Sequence, residues 1–193
     1  MPSSISPLST SRIAPLQPPY AADLQQQFDR IMPPGQPPLG LFRTVATSER
    51  AWRKFTAGSL LDRGPLSLRE REIVIDRTCA LAGCEYEWGV HVAIFAAAAR
   101  LTEEQVGATV METADVTCWS EAEQALIAAV DALHHRATWS AAEFDAVKRH
   151  YSEAQILEII QLCGFYRTVA YLANALDLPL EQAAARFPAD AGR

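Results

Sequence analysis

One two-residue signal recurs five times along this chain: a Ser or Thr is followed three residues later by a Glu or Gln. The five pairs are Ser67/Glu70, Thr102/Gln105, Ser120/Glu123, Ser140/Glu143 and Ser152/Gln155. In such a pair each side chain accepts a hydrogen bond from a backbone N–H that the first turn of a helix leaves unpaired. Because each pair precedes a segment that looks helical, the pattern predicts five helix starts.

No segment shows the sustained alternation of apolar and polar residues that a half-buried strand requires. From residue 39 onward the chain is therefore predicted to be wholly helical, which makes the fold class all-α and the architecture a multi-helix bundle. The predicted helices span roughly residues 39–47, 49–61, 68–82, 85–99, 103–113, 121–136, 141–150 and 153–176, with a short one near 180–187.

The N-terminal part of the chain has a different composition. Nine of the twelve prolines lie in the first 38 residues, and a helix cannot continue through proline clusters of this kind. We predict a proline-rich arm over residues 1–38, with a short helix at roughly 21–31, and a helical domain over residues 39–193. A terminal arm is disordered by default, and the alternative is that it lies across a neighbouring subunit.

Composition and charge exclude several classes of function. The net charge of −6 leaves no basic surface for nucleic acid, and no apolar run reaches the length of a membrane-spanning helix. The N-terminus lacks the pattern of a secretory signal, so we expect a cytoplasmic protein whose four cysteines are reduced. Cysteine pairs with zinc-site spacing and glycine-rich nucleotide loops are both missing, so we expect no metal and no cofactor.

A carboxylate interrupts the apolar seam of the helix that starts after Ser67. Leu68, Glu72, Ile75, Cys79 and Ala82 follow spacings of three and four residues, and only Glu72 is charged. An ionised carboxylate in such a seam is costly unless a partner neutralises it, which suggests a functional site. The alternative is that Glu72 reaches water or pairs with Arg69 or Arg71.

The next helix begins GCEYEWGVHVAIF and carries a thiol, an acid and an imidazole on one face. Glu87 and His91 are four residues apart, and Cys84 lies one turn earlier, near the helix N-terminus. The helix dipole at that end lowers a thiol's pKa, and a carboxylate beside an imidazole raises its basicity. The set suits proton transfer. The alternative is a surface Glu–His pair beside a small buried cysteine.

Other side chains are candidates for the substrate pocket. Tyr86 and Trp88 flank the site and are predicted to line a pocket for a small unsaturated or aromatic ligand; a core role is the alternative. Arg43, Arg77 and Arg167 can each hold a substrate carboxylate, and nothing in the sequence distinguishes among them.

The order Glu72, eleven residues, Cys84-x-x-Glu87-x-x-x-His91 resembles the carboxymuconolactone decarboxylase and alkylhydroperoxidase superfamily. The resemblance is strongest in LSLREREIVIDRTCALAGCEYEWGVHVAIFAAAARLTEEQ and extends loosely from about Leu39 to Leu180. It implies an all-α fold and a small-molecule substrate. It also implies a homo-oligomer with the site near an interface between subunits.

The resemblance also implies two activities. The peroxidase branch carries Cys-x-x-Cys-x-x-x-His, and its second cysteine falls on Glu87, which cannot take the sulfenic step; Cys84 would have to act alone or with Cys79. The decarboxylase branch has a carboxylate four residues before the histidine, as this chain does. There His91 would donate the proton, oriented by Glu87 and tuned by Glu72.

We therefore expect an enzyme, a cofactor-free decarboxylase-like lyase that acts on a small lactone or unsaturated acid. The runner-up is a thiol peroxidase that uses Cys84. The third hypothesis is an oligomeric helical protein without catalytic activity. The predicted catalytic residues are Glu72, Cys84, Glu87 and His91.

Overall fold

The computed structural model describes residues 11–111 and 116–189. Over these residues all regular secondary structure is helical, with no strand. The helices are α1 (Ala22–Ile31), α2 (Gly40–Val45), α3 (Glu49–Gly58), α4 (Leu68–Leu81), α5 (Glu85–Phe95), α6 (Glu103–Ala108), α7 (Glu121–Arg136), α8 (Ala141–Lys148) and α9 (Glu153–Ala175), with a 3₁₀ turn at Val116–Cys118. The predicted all-α class is confirmed.

All five predicted helix starts carry the complete reciprocal cap. At α4 the backbone N–H of Glu70 donates to Ser67 Oγ over 3.2 Å, and that of Ser67 donates to Glu70 Oε2 over 2.8 Å. The same arrangement begins α6, α7, α8 and α9. Each cap satisfies two otherwise unpaired backbone donors, so short-range sequence is enough to place these starts.

Helix α4 lies at the centre of the bundle and packs against α5, α7 and α9. Residues 72–79 of this helix are all buried, so over these two turns it has no face exposed to solvent. Arg77 is also buried; it donates to both carboxylate oxygens of Asp131 on α7, over 2.7 and 2.9 Å. The bidentate pair and the apolar contacts hold α4 in a rigid position.

Several helix ends differ from the prediction. The helix predicted over 85–99 ends at Phe95 and continues as turns to Arg100, whose φ of 56° takes the backbone out of the helical region. The helix predicted over 103–113 ends at Ala108, and residues 112–115 lie outside the described part of the chain.

The prediction of a short helix near 180–187 is wrong, because this segment forms a turn at 182–183 and no helix. It crosses α5, where the N–H of Ala185 donates to the carbonyl of Gly89 over 2.9 Å. A Cβ on residue 89 would collide with the carbonyl oxygen of Ala185, so the absence of a side chain permits the close approach. Tertiary contact with α5 therefore replaces local helical bonding.

The part of the N-terminal arm that the structure describes, from residue 11 onward, packs on the chain's own helices, in contrast to the default expectation of disorder. Its placement against a neighbouring subunit stays a prediction. The N–H of Arg12 donates to the carbonyl of Leu176 over 2.8 Å, and that of Leu16 to Arg43 over 3.2 Å. Phe28 of α1 is 1% exposed and packs edge-on between Tyr20 and Trp52. Burial of these aromatic side chains thus holds the arm against the helices, although its prolines prevent it from forming a long helix.

Helix α9 is long and apolar enough to cross a membrane by length and composition; no other helix in residues 11–111 and 116–189 is. A core helix of a soluble protein passes the same test, and α9 packs against α4 and α5. The test is therefore weak evidence, and the cytoplasmic location remains a prediction.

Candidate functional site

The site is built on one contact between α4 and α5. The ring N–H at Nδ1 of His91 donates to Glu72 Oε2 over 2.7 Å, and both side chains are buried. The other oxygen of Glu72 lies 3.2 Å from Nε of Arg71. The expected pairing with Arg71 is present, but Glu72 does not reach water; it is fully buried with an arginine on one side and the imidazole on the other.

Glu87 lies on the opposite side of the same imidazole. Its Oε1 is 3.4 Å from Nε2 of His91, as the spacing of four residues on α5 predicts. Its Oε2 is buried and has no hydrogen-bond partner in the structure. One imidazole therefore lies between two carboxylates, and one oxygen of Glu87 is left without a hydrogen-bond partner.

These surroundings decide the charge of His91. Burial by itself disfavours the imidazolium, but the hydrogen bonds with Glu72 and then Glu87 outweigh it and raise the pKa of His91 to about 10. The imidazolium form of His91, with a hydrogen on each ring nitrogen, is consequently favoured at neutral pH. It is poised to donate a proton, and less suited to act as a base.

A further acid, which sequence reasoning missed, lies one helical turn beyond Glu72. Asp76 is 1% exposed, and neither of its carboxylate oxygens has a hydrogen-bond partner. Burial raises its pKa well above the usual range, with His91 acting in the opposite direction. The neutral acid is thus favoured. An aspartate inside the apolar run IVID was the available signal.

Cys84 lies at the N-cap of α5, where it was expected, but its environment differs from the prediction. The side chain is fully buried, and burial raises the pKa of the Cys84 thiol to about 11. Backbone N–H groups of Glu87 and Tyr86 favour the thiolate, as the helix-terminus argument requires, yet their effect is smaller than that of burial. The prediction of a lowered pKa is wrong.

Cys79 lies close to Cys84 through the turn that ends α4. The N–H of Cys84 donates to the carbonyl of Cys79 over 2.9 Å, Gly83 adopts a φ of 60°, and its N–H donates to Ala80 over 2.9 Å. This is the Schellman arrangement, in which the first and last residues commonly touch. Both thiols are buried, so they contribute to the core between α4 and α5.

A cavity of about 600 Å³ opens over Glu87 and His91. Aromatic and aliphatic side chains form most of its walls, which suits a small apolar or unsaturated ligand. Its lining residues are Arg30, Ile31, Met32, Pro33, Leu39, Phe42, Phe55, Thr56, Ser59, Leu61, Glu87, Val90, His91, Ile94, Phe95, Phe165 and Tyr166. Of the four predicted catalytic residues, Glu87 and His91 line it, whereas Glu72 lies behind His91 and Cys84 is buried outside the lining.

Tyr86 and Trp88 lie outside this lining. The Tyr86 hydroxyl donates to Glu181 over 2.6 Å and accepts from the N–H of Leu41 over 3.0 Å. Trp88 donates through Nε1 to Thr109 over 2.9 Å. Both side chains therefore bond α5 to neighbouring segments, which is the alternative role that the sequence left open.

The three arginines considered for a substrate carboxylate also lie elsewhere. Arg77 is paired with Asp131, and Arg43 donates to the carbonyl of Leu16 over 3.4 Å. Arg167 lines a separate cavity of about 340 Å³. Arg30, which sequence reasoning did not single out, is the arginine among the residues that line the larger cavity.

Metal binding is not suggested by the geometry of the described residues. Within residues 11–111 and 116–189, no group of three or more His, Cys, Asp or Glu side chains is arranged to hold an ion. The acids and the imidazole instead bond to one another.

One protein-family model matches the part of the chain that carries this site. Residues 46–132 match the model of the carboxymuconolactone decarboxylase family. This segment contains α3 to α6 and most of α7, and so includes Glu72, Glu87 and His91. A search of curated protein sequences gives no match.

Solved structures share the fold at low sequence identity. An uncharacterized peroxidase-related protein from Silicibacter sp. has a TM-score of 0.80 and 17% identity, covering 96% of this chain and 100% of its own. The alkylhydroperoxidase AhpD core, an uncharacterized peroxidase-related protein from Ralstonia eutropha, has a TM-score of 0.74 and 19% identity, with 90% and 94% covered.

A third solved structure carries a ligand. The debrominase Bmp8 C82A in complex with 2,3,4-tribromopyrrole has a TM-score of 0.70 and 21% identity, covering 94% of this chain and 95% of its own. At these identities the likenesses show a common fold and nothing more.

Proposed function

Because the chain belongs to the carboxymuconolactone decarboxylase and alkylhydroperoxidase-like superfamily, we propose that it is a cofactor-free acid–base enzyme of the decarboxylase-like kind. The substrate class is a small unsaturated or lactone acid. The observation that carries the proposal is the position of His91, held between Glu72 at 2.7 Å and Glu87 at 3.4 Å at the wall of an apolar cavity.

The cavity favours loss of a carboxylate group. A carboxylate placed against aromatic walls loses solvation, whereas the transition state for release of CO₂ spreads the charge over a conjugated system and tolerates those walls better. The imidazolium of His91 supplies positive charge next to the developing dienolate. The ground state is thus disfavoured relative to the transition state.

The proton balance of the reaction also fits His91. The bond between the ring carbon and the carboxylate breaks, its electron pair enters the conjugated carbonyl system, and CO₂ leaves. The ring N–H of His91 then gives its proton to carbon, and the neutral imidazole regains a proton from solvent. Glu72 keeps the ring oriented, and the free oxygen of Glu87 is available to relay that proton.

The proposal is tested with the full-length chain and carboxymuconolactone, followed by a small set of unsaturated lactone acids. In D₂O the enzyme should release CO₂ and leave one deuterium on the product carbon, detected by NMR. Positioned proton transfer typically contributes ~10²–10⁴-fold in rate, so His91→Gln should lose activity by that order.

The matched control is Glu104→Gln, which neutralises an exposed acid on α6 and should retain full activity. Absence of CO₂ release by the wild-type chain from every acid in the set would overturn the proposal. Undiminished release by His91→Gln would also overturn it.

A thiol peroxidase is the runner-up, and the geometry of the cysteines weighs against it. Position 87 holds a glutamate where that branch has its attacking cysteine, and Cys84 is buried with a raised pKa. Peroxide treatment followed by mass spectrometry separates the two activities, because only the peroxidase requires oxidation of Cys84.

A helical protein without catalytic activity is the third candidate. It predicts that substitution of Glu72 or His91 changes stability while no substrate is turned over. The homo-oligomer expected from the family resemblance likewise remains a prediction; light scattering of the purified chain measures it.

A further inference from the structure

The larger cavity has walls from several parts of the chain. Glu87, His91 and Phe95 come from α5, inside the segment that matches the family model. Residues 30–33, at the end of α1 and just beyond it, form another part of the lining and lie outside that segment. The N-terminal arm therefore completes a pocket whose reactive groups are supplied by the family core.

Helix α1 is held firmly enough to place a side chain at the pocket. Phe28 is buried between Tyr20 and Trp52. One residue before it, Gln27 Oε1 accepts a hydrogen bond from Nε1 of Trp52 over 2.8 Å. Two residues after Phe28 comes Arg30, in the last turn of α1. The backbone that carries Arg30 is thus fixed by packing on α3.

Charge is distributed unevenly around the pocket. Among its lining residues, Glu87 and His91 belong to the buried cluster, whose charges are balanced by one another and by Glu72 and Arg71. Arg30 is exposed, and none of the ion pairs within the described residues involves it. The pocket therefore offers one guanidinium with no protein carboxylate to neutralise it.

We propose that Arg30 binds an anionic group of the ligand, a carboxylate that stays in the product, and so selects acids over neutral molecules of the same shape. The identity of the reaction rests on the proposed function, whereas the binding of an anion by Arg30 does not. The guanidinium matches a carboxylate in shape and charge, while the aromatic walls receive the unsaturated part of the ligand. A second carboxylate, directed at His91, would be the one that is lost.

The test measures binding by isothermal titration calorimetry with two probes, furan-2-carboxylate and its methyl ester. The full-length chain should bind the acid more tightly than the ester. Arg30→Gln should weaken binding of the acid about three- to tenfold, as expected for a partly solvated ion pair, and leave the ester unchanged. Arg30→Lys should restore part of the preference, and added salt should reduce it in the wild type.

Arg53→Gln is the matched control, because Arg53 is exposed on α3 and lies outside the pocket lining. It should bind both probes as the wild type does. Equal binding of acid and ester by the wild type would overturn the proposal. Equal losses for both probes in Arg30→Gln would do so too, since they would mean that Arg30 only shapes the wall.

The anion site and the proposed reaction can be refuted separately by these measurements. If Arg30→Gln loses its preference for the acid but no decarboxylation is found, the anion site stands and the reaction is wrong. If decarboxylation is found with an unchanged KM in Arg30→Gln, the reaction stands and the anion site is wrong.

Discussion

His91 on α5 donates through Nδ1 to Glu72 on α4 over 2.7 Å, and both side chains are removed from water. Nineteen residues separate them in sequence, so this contact is a product of the packing of two helices. It fixes the orientation of the imidazole and favours its charged form. The first two predictions concern the charge and the orientation of this residue.

The first prediction concerns the charge of His91. With a pKa of about 10 in the folded chain, its imidazole should remain protonated at pH 8. Its NMR chemical shifts at that pH should be those of an imidazolium, with an N–H at both ring nitrogens. Because the folded pKa lies above the unfolded value of about 6.5, this group contributes stability that is complete below pH 6.5. That contribution is lost as the pH rises through 10.

Unfolding by urea at several pH values checks the sign. The wild-type chain should lose stability between pH 7 and pH 10, and His91→Gln should show a flatter dependence over that range. A neutral imidazole at pH 7 in the NMR spectrum would contradict the prediction.

The second prediction separates the two acids that flank His91. Glu72→Gln removes the negative charge at the shorter bond and weakens the hydrogen bond that orients the ring, so we expect the His91 pKa to fall and turnover to drop by roughly 10²-fold. Glu87→Gln should lower the His91 pKa less, since its contact is longer, at 3.4 Å. NMR titration of the ring measures both shifts, with Glu104→Gln as the reference. A larger shift from Glu87→Gln would reverse the assignment of roles.

The third prediction concerns the thiols. Cys84 is buried with a pKa of about 11, so iodoacetamide at pH 7.5 should label the half-buried Cys118 well before it. Cys84→Ser should keep most of the decarboxylase activity. Mass spectrometry after peroxide treatment should find Cys84 unmodified; capture of a sulfenic acid there by dimedone at low peroxide would favour the peroxidase instead.

The fourth prediction concerns Asp76, whose carboxyl is buried without a partner. Its folded pKa is raised, so the unfolded chain loses the proton first as the pH rises, and stability falls above the unfolded pKa of about 3.9. Asp76→Asn removes this loss. The variant should match the wild type near pH 4 and exceed it by about 1–3 kcal/mol at pH 8.

Chemical denaturation at both pH values measures this difference, and Asp145→Asn on the exposed face of α8 is the control. A variant that is less stable than the wild type at pH 8 would mean that ionised Asp76 has a stabilising partner.

The fifth prediction concerns the contact between α5 and the C-terminal segment. Gly89→Ala places a methyl group against the carbonyl of Ala185, so we expect a loss of about 1–3 kcal/mol in unfolding free energy. Gly107→Ala is the control, since a Cβ there meets nothing within 4 Å and alanine favours the helix. Equal stability of the two variants in thermal unfolding would show that the segment moves away without cost.

Local sequence determined the helical class and the five capped helix starts, because a cap depends on two side chains three residues apart. It also determined that Glu87 and His91 share a face of α5, since the helical repeat fixes that spacing. The site residues that lie within one helix could therefore be predicted from the chain alone.

Tertiary structure decided the rest. The bond from His91 to Glu72, the burial that raises the Cys84 pKa and the isolation of Asp76 all depend on how α4 packs against α5. The segment at 180–187 exchanges helical bonds for a contact with Gly89, and Arg30 reaches the pocket only because α1 packs on α3. Desolvation and long-range contact set these properties, and neither is encoded in the spacing of residues along one helix.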